Sequence, residues 1–442
     1  MTTINKLLAS AVVASAVALQ GCGSSSTTTS PCSSVSGTCT AIQPSMPEAQ
    51  IQSALANLPD GSTVAFAAGT YHFQNALAFN ANNLTIQGAG DTQTILDFAA
   101  QTSSGAGGEG LSSTGNDFYI HDIAIKDPAG NGVKMSKATN VHVNHVRVYW
   151  SNNGVNTNGP YGIYPVACTN VLVENSYSAG ASDTGIYVGQ SQNIIVRNNE
   201  AENNVMGVEI ENCWGADVHD NNLHGNTGGV LVFTGPNLAQ KDGHAAHVYS
   251  NIVNANNHPN FGYGGMVTQI PAGSGIVVMA DREVEIDHNT VTGNDTDGVA
   301  VISFIFTGLA NTTAPDPAYY PYPQQVYIHD NTFSGNGTAP DQVVALGQLL
   351  NTIFGTSNPF PTALPDVMYD GVLDPAAGTG ANPMGICLGT ATPPSFGNLT
   401  QNQYCAVASD GTPVGPCWPL NPSTDASAYN CTLPSLPAIT VP

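Results

Sequence analysis

Gly185-Ile186-Tyr187-Val188, Val196-Arg197-Asn198-Asn199, Gly207-Val208-Glu209-Ile210, Val218-His219-Asp220-Asn221 and Gly229-Val230-Leu231-Val232 follow one another between residues 185 and 232. Two short motifs alternate in this stretch. One opens on Gly and alternates apolar with variable residues; the other is a short strand that ends in Asn. A period of two is that of a β-strand, whose successive side chains point to opposite faces. The pair of motifs returns about every 22 residues, which suits one three-strand coil of a β-solenoid.

The same two ladders extend outward from this stretch. The Gly-led motif recurs at Gly132-Val133-Lys134-Met135, Gly162-Ile163-Tyr164-Pro165, Gly275-Ile276-Val277-Val278 and Gly298-Val299-Ala300-Val301. The Asn-led motif recurs at Val248-Tyr249-Ser250-Asn251, Ile286-Asp287-His288-Asn289 and Ile328-His329-Asp330-Asn331, with earlier versions at Ile120-His121-Asp122, Val143-Asn144-His145 and Val173-Glu174-Asn175. A β-sandwich alternates too, but without such a repeat. The chain therefore reads as an all-β protein, a right-handed parallel β-helix over residues 47–337. The repeated Asn are expected to stack and hydrogen-bond along the solenoid.

Both ends of a β-stack need covers, because an open end exposes core and strand edges. Ser45-Met46-Pro47-Glu48 reads as a helix start, with Ile51, Ala54, Leu55 and Leu58 at helical spacing and Asp60-Gly61 as the stop. Thr63-Val64-Ala65-Phe66 and Gly69-Thr70-Tyr71 follow as strands, and the whole resembles the N-terminal cap of pectate-lyase-like β-helices. Insertions interrupt the ladder at Phe233 to Ser274 and at Ile305 to Gln324. The pattern ends near residue 338. A helix expected over Asp341 to Phe354 leads into a Cys- and Pro-rich tail, so that residues 338–442 form a C-terminal cap.

Eight Lys and Arg stand against 31 Asp and Glu, a formal net charge of −23 over 442 residues. Such a surface repels phosphate backbones, which excludes nucleic acid as a partner. It also repels polyanions unless a local cation intervenes. Ca2+, which takes oxygen ligands, is the cofactor such acids would attract.

At the N-terminus, Lys6 precedes an apolar run from Leu7 to Leu19 that is too short to span a bilayer. It ends in Leu19-Gln20-Gly21-Cys22, which resembles the lipobox of bacterial lipoproteins. The resemblance implies a signal peptide over 1–21, a lipid on Cys22 and a Ser/Thr-rich tether over 22–46. With Gly23 after the Cys it implies export to the outer membrane of a Gram-negative cell. An ordinary cleavable signal is the alternative. Of nine Cys, removing Cys22 leaves an even eight, consistent with disulfides in an oxidising compartment. Cys32 and Cys39 suit a small loop; Cys387, Cys405, Cys417 and Cys431 crowd the tail; Cys168 and Cys213 lie in the repeats. There is no CxxC, CxxCH, phosphate loop, nucleophile elbow or HExxH.

Coils stack about 4.8 Å apart, so residues at one outward position form a row. Two residues after each Gly stand Lys134, Tyr164, Tyr187, Glu209, Leu231, Val277 and Ala300; four after stand Ser136, Val166, Gly189, Glu211, Phe233, Met279 and Ile302. The middle coils thus carry Asp183, Glu209 and Glu211 beside Lys134, Tyr164 and Tyr187. Glu209 and Glu211 have Cα atoms about 6.6–6.8 Å apart if extended, a spacing that suits inverting glycoside hydrolysis. Crowded acids raise one another's pKa, which would let Asp183, Glu209 and Glu211 act as acid and base. Tyr164 and Tyr187 would stack on sugar, and Lys134 would neutralise a substrate carboxylate. The same acids could instead hold Ca2+, or form only a polar sheet. The later coils turn apolar at these positions, so a cover is expected, with the 233–274 loop as candidate. His244, His247 and His258 are a weaker metal trio, and Pro317 to Pro323 reads as a rigid aromatic loop.

The runs Tyr161-Gly162-Ile163-Tyr164-Pro165-Val166, Gly180 to Ser191, Gly207 to Asn212 and Asn226 to Phe233 resemble a family of bacterial "parallel β-helix repeat-containing" exported proteins, many of them lipoproteins. That resemblance implies an envelope protein of uncharacterised function, often encoded beside a c-type cytochrome, so a protein partner in the envelope is one expectation. At fold level the chain is also similar to pectate lyases, polygalacturonases and alginate epimerases, which implies a polysaccharide partner and hydrolase, lyase or epimerase chemistry. The paired Asp motifs of polygalacturonases and the Arg and Lys rows of pectate lyases are absent. A non-catalytic surface binding module is the alternative.

Overall fold

The computed structural model describes residues 30–102, 108–311, 316–355, 359–405, 415 and 417–442. Cys22 and the leader before it lie outside the described residues. The chain winds as a right-handed parallel β-helix. One coil takes the strands Tyr161–Val166, Thr169–Glu174 and Tyr177–Ala179; the next takes Thr184–Gly189, Gln192–Arg197 and Glu200–Glu202. The first strands of the coils stack into an 11-stranded sheet, here sheet 1. The second and third strands form two faces of a 19-stranded sheet 2, joined where Phe118–Lys126 and Thr139–Tyr149 run through both.

Period-two alternation places one set of side chains inside. On sheet 1 the register stacks Val133, Ile163, Ile186, Val208, Val230, Ile276, Val299 and Val367 in one row, and each is fully buried. Each such side chain contributes roughly 1.5–3 kcal/mol of burial.

The turns between the two faces of sheet 2 are closed by buried Asn. Asn199, Asn221, Asn251, Asn289 and Asn331 form a ladder in which each Nδ2 donates to the next Oδ1 at 2.9–3.0 Å. The preceding residues Asn198, Asp220, Ser250, His288 and Asp330 hold positive φ between 51° and 54°, a conformation that Asn and Asp tolerate better than most. A second ladder, Asn204, Asn226, Asn256, Asn294 and Asn336, closes the turn into sheet 1. The first ladder is the expected one; the second escaped notice because its motif varies.

The N-terminal cover begins earlier than the proposed tether boundary. Cys32 and Cys39 are bonded, and strand Cys39–Ile42 pairs in parallel with Thr63–Phe66. Helix α1 (Glu48–Leu55) buries Ile51 and Leu55 on the open end. Its Glu48 carboxylate accepts from the backbone N–H groups of Gln74 and Asn75. At the other end sheet 1 continues past residue 337 through Val367–Tyr369 and Phe396–Asn398. The second helix, α2 (Ala345–Asn351), is shorter than expected, because the Asp341 carboxylate caps the turn before it by accepting from Val343 and Val344 N–H. Disulfides Cys387–Cys431 and Cys405–Cys417 hold the tail.

Cys168 and Cys213 are free and buried, contrary to an even set of disulfides. They start strands two coils apart, with Ser191 in the coil between. Two coil spacings are about 9.6 Å, beyond the ~7 Å Cα limit of a disulfide. The expected insertion at 233–274 is two loops, since His244–Tyr249 and Ile252–Asn254 return to sheet 2 between them. Among the described residues no helix is long and apolar enough to cross a membrane.

Candidate acid–tyrosine site

Four consecutive strands of sheet 1 build the site: Val133–Ser136, Tyr161–Val166, Thr184–Gly189 and Met206–Glu211. The register puts Lys134 beside Tyr164 and Tyr187 beside Glu209. It also puts Tyr161 beside Thr184, and Gly189 beside Glu211. The three acids, Lys134 and the two expected tyrosines therefore do share one face.

Two of the acids, Asp183 and Glu209, share one side-chain partner across coils. The Thr184 hydroxyl donates to Glu209 Oε2 and lies 3.0 Å from Asp183 Oδ1. Glu211 accepts from the Tyr187 hydroxyl. The Thr184 hydroxyl thus links a turn residue of one coil to a strand residue of the next.

Burial decides the protonation of this group. It raises Asp183 to about 7, helped by the Glu211 charge and opposed by hydrogen bonds from Thr184, Tyr161 and Glu209. Glu209 rises well above the ordinary carboxylate range, first from burial and then from the Asp183 and Glu211 charges. Glu211 is also raised by burial, while the Tyr187 hydrogen bond pulls it back. Removing carboxylates from water penalises the ion, so the cluster retains protons at neutrality.

Three tyrosines wall the acids. Tyr161 packs against Tyr164 and Tyr187 at ring-centroid distances of 4.6 and 4.5 Å. Burial pushes the Tyr164 phenol up to about 12 and Tyr161 and Tyr187 higher, so all three remain neutral donors. Tyr187 departs from its expected role. It is 3% exposed and its hydroxyl is committed to Glu211. It therefore positions Glu211, and the half-buried rings of Tyr161 and Tyr164 form the accessible wall. Lys134 Nζ sits 5.5 Å from the Tyr164 ring centroid and 3.5 Å from Glu109 Oε1.

Sequence reasoning passed over Tyr161 and Glu109. Each lies one residue before the Gly of its coil, Tyr161 before Gly162 and Glu109 before Gly110, out of the counted rows. Gly189 was also missed as a determinant. A Cβ there would collide with the Tyr187 phenol, so only Gly lets that ring lie over the strand and reach Glu211.

The apolar later coils are covered, but the 255–273 loop does so only in part. Its Ile270 and Pro271, with Phe306, Leu346 and Leu350 of α2, and Leu399, line a small apolar cavity over Val277, Ala300 and Ile302. The loop 234–243 borders the acids, with Gly235 N–H donating to Asn212 Oδ1 at 2.7 Å. Lys241 pairs with Asp316 to fasten it to the 316–323 stretch. That stretch packs inward: Tyr319 donates to the Thr234 carbonyl and Tyr320 to Asp374.

The expected histidine trio does not assemble. His258 lies against Gly154 and Phe261, His244 bonds the Asp242 carbonyl, and His247 bonds Asp287. Asp183, Glu209 and Glu211 supply oxygen donors of the type Ca2+ takes. Burial holds protons on these acids and so opposes such binding.

The sequence matches the family described as "Right handed beta helix region" over residues 71–242 and 150–313. No curated protein matches it. Among solved structures it is similar to the A-module of the Azotobacter vinelandii mannuronan C-5 epimerase AlgE6, with 16% identity, a TM-score of 0.43 and coverage of 73% of this chain and 75% of that one. The alginate lyase from Paenibacillus sp. str. FPU-7 aligns at 17% identity and a TM-score of 0.44, covering 66% of this chain and 96% of the other. The DFA-IIIase of Arthrobacter chlorophenolicus A6 aligns at 12% identity and a TM-score of 0.38, covering 70% and 82%.

Proposed function

Since the chain belongs to the right-handed β-helix family, we propose that the sheet-1 face around Asp183 and Glu209 binds a polysaccharide and moves protons on it. The observation that carries this reading is the Asp183–Glu209 pair, joined through the Thr184 hydroxyl, raised by burial and walled by Tyr161 and Tyr164. Carboxyls raised by burial and by one another suit proton abstraction and return at a sugar carbon, as in a lyase or epimerase. Protonated acids beside Lys134 also relieve the repulsion that a net charge of −23 imposes on an acidic sugar.

Neutral and acidic polysaccharides, incubated with the protein and followed by proton NMR and mass spectrometry, test this. Unsaturated ends or inverted centres, lost in Asp183→Asn and Glu209→Gln, are the expected result. Binding without turnover that survives both substitutions would instead make this a non-catalytic module. The proposal places the protein in the cell envelope, on the strength of Leu19-Gln20-Gly21-Cys22. Cys22→Ser should then move it from the membrane to the soluble fraction; an unchanged distribution would remove the lipid anchor.

A further inference from the structure

On the first face of sheet 2, away from the acid–tyrosine site, three consecutive coils bring His247, Glu285, Asp287 and His329 together. The register places His247 beside Glu285 and Asp287 beside His329. Each imidazole nevertheless reaches diagonally. His247 Nε2 lies 2.7 Å from Asp287 Oδ1, and His329 Nε2 lies 3.1 Å from Glu285 Oε1. Both histidines therefore lean over the central strand Arg282–Asp287. Ligand atoms of His247, Glu285 and Asp287 all lie within 4.8 Å of one another.

Three of the four are also held from outside the set. Asp287 Oδ2 meets His288 Nδ1 at 2.8 Å. His329 Nδ1 meets Asp330 Oδ2 at 2.8 Å. Glu285 Oε2 accepts from the Leu436 backbone N–H at 2.6 Å. Outer partners of this kind, which orient imidazole and carboxylate ligands, are the usual surroundings of a metal. The Leu436 contact belongs to the C-terminal tail, which crosses this face and meets it again where Ile439 N–H donates to Asp217 at 2.8 Å.

We propose that His247, Glu285 and Asp287 bind one divalent transition-metal ion beneath the C-terminal tail, with His329 holding Glu285 in place. An imidazole nitrogen with two carboxylate oxygens suits zinc and selects against Ca2+, which prefers an all-oxygen shell. Bound there, the ion would pin Glu285 and through it the tail. The site is built from side chains of three coils, so metal binding would also clamp the solenoid across its stack.

The test titrates chelator-treated full-length protein in detergent with Zn2+ and, separately, Ca2+, by calorimetry and metal analysis. One equivalent of Zn2+ is expected, with no comparable Ca2+ binding. Affinity should fall at least tenfold in His247→Gln and Asp287→Asn, but not in His244→Gln, whose residue lies on the same strand outside the set. Hydrogen exchange across residues 433–440 of the unmutated protein should slow on adding Zn2+, a readout that does not depend on any variant folding. No stoichiometric Zn2+ binding, equal binding in His247→Gln, or unchanged tail exchange would overturn the proposal.

Discussion

The ring of Tyr187 occupies the space that a Cβ on Gly189 would need. From that position its hydroxyl reaches Glu211. Gly189→Ala should therefore displace the ring, break the Tyr187–Glu211 bond and cost about 1–3 kcal/mol through overpacking. Urea midpoints, and turnover on whichever polysaccharide the incubations identify, would check it. Wild-type stability and activity in the variant would mean that the ring has another place to go.

Asp183 near 7 sets a pH dependence for the proposed chemistry. If its protonated form donates to the substrate, rate should fall as pH rises through about 7. Asp183→Asn should lose activity at every pH. An activity that climbs steadily from pH 6 to 9 would remove Asp183 as the acid.

Stability should respond to pH in an unusual direction. Burial raises Asp183, Asp281, Asp297 and Asp370 each to about 7. Between the ordinary carboxylate pKa, about 4, and 7 the folded state holds protons that the unfolded state has released, so stability falls as pH rises across that window and levels off above it. Asp97, Glu174 and Asp287 are lowered instead, and they withdraw stability only below about pH 4. Denaturant midpoints should be higher at pH 5 than at pH 8. Asp297→Asn should flatten the difference, and the reverse order would contradict the account.

Within the first ladder, Asn251 donates to Asn289 and to the Val218 carbonyl, and accepts from Asn221, all at 2.9–3.0 Å in the interior. Truncation to Ala leaves several buried groups unpaired, at about 1–3 kcal/mol each. Asn193, which donates to Asn170 on the exposed side at 3.0 Å, should cost under about 1 kcal/mol on the same change. Equal losses at the two positions would show that burial does not govern the ladder.

Burial pushes the thiols of Cys168 and Cys213 up, and they lie against the Met135 and Val188 carbonyls at 3.6 and 3.3 Å. Apart from Cys22, the native protein should react with no thiol reagent, and two thiols should appear on unfolding. Reaction in the native state would mean that the coils open locally.

The repeat was legible because it is local and redundant. Each coil restates the alternation that buries Ile163, Ile186, Val208 and Val230, so a missed coil changes nothing. The rows of Lys134, Tyr164, Tyr187, Glu209 and Glu211 followed from the same counting, and the structure puts them on one face. The tail contacts carried no periodic signal, and Glu109, like Tyr161, stands one residue before its Gly and so outside the rows counted.

What the amino-acid sequence determined alone was which side chains point outward and which strands lie next to each other. Period-two geometry and a constant coil length are enough for that. What only the tertiary structure decided was how those side chains lean. Thr184 bridges Asp183 and Glu209 across coils, His247 takes the diagonal Asp287 over the adjacent Glu285, and Tyr187 folds over Gly189 into burial. Rotamer choice between neighbouring coils depends on the space each neighbour leaves, and that space is a property of the stack, not of any one repeat.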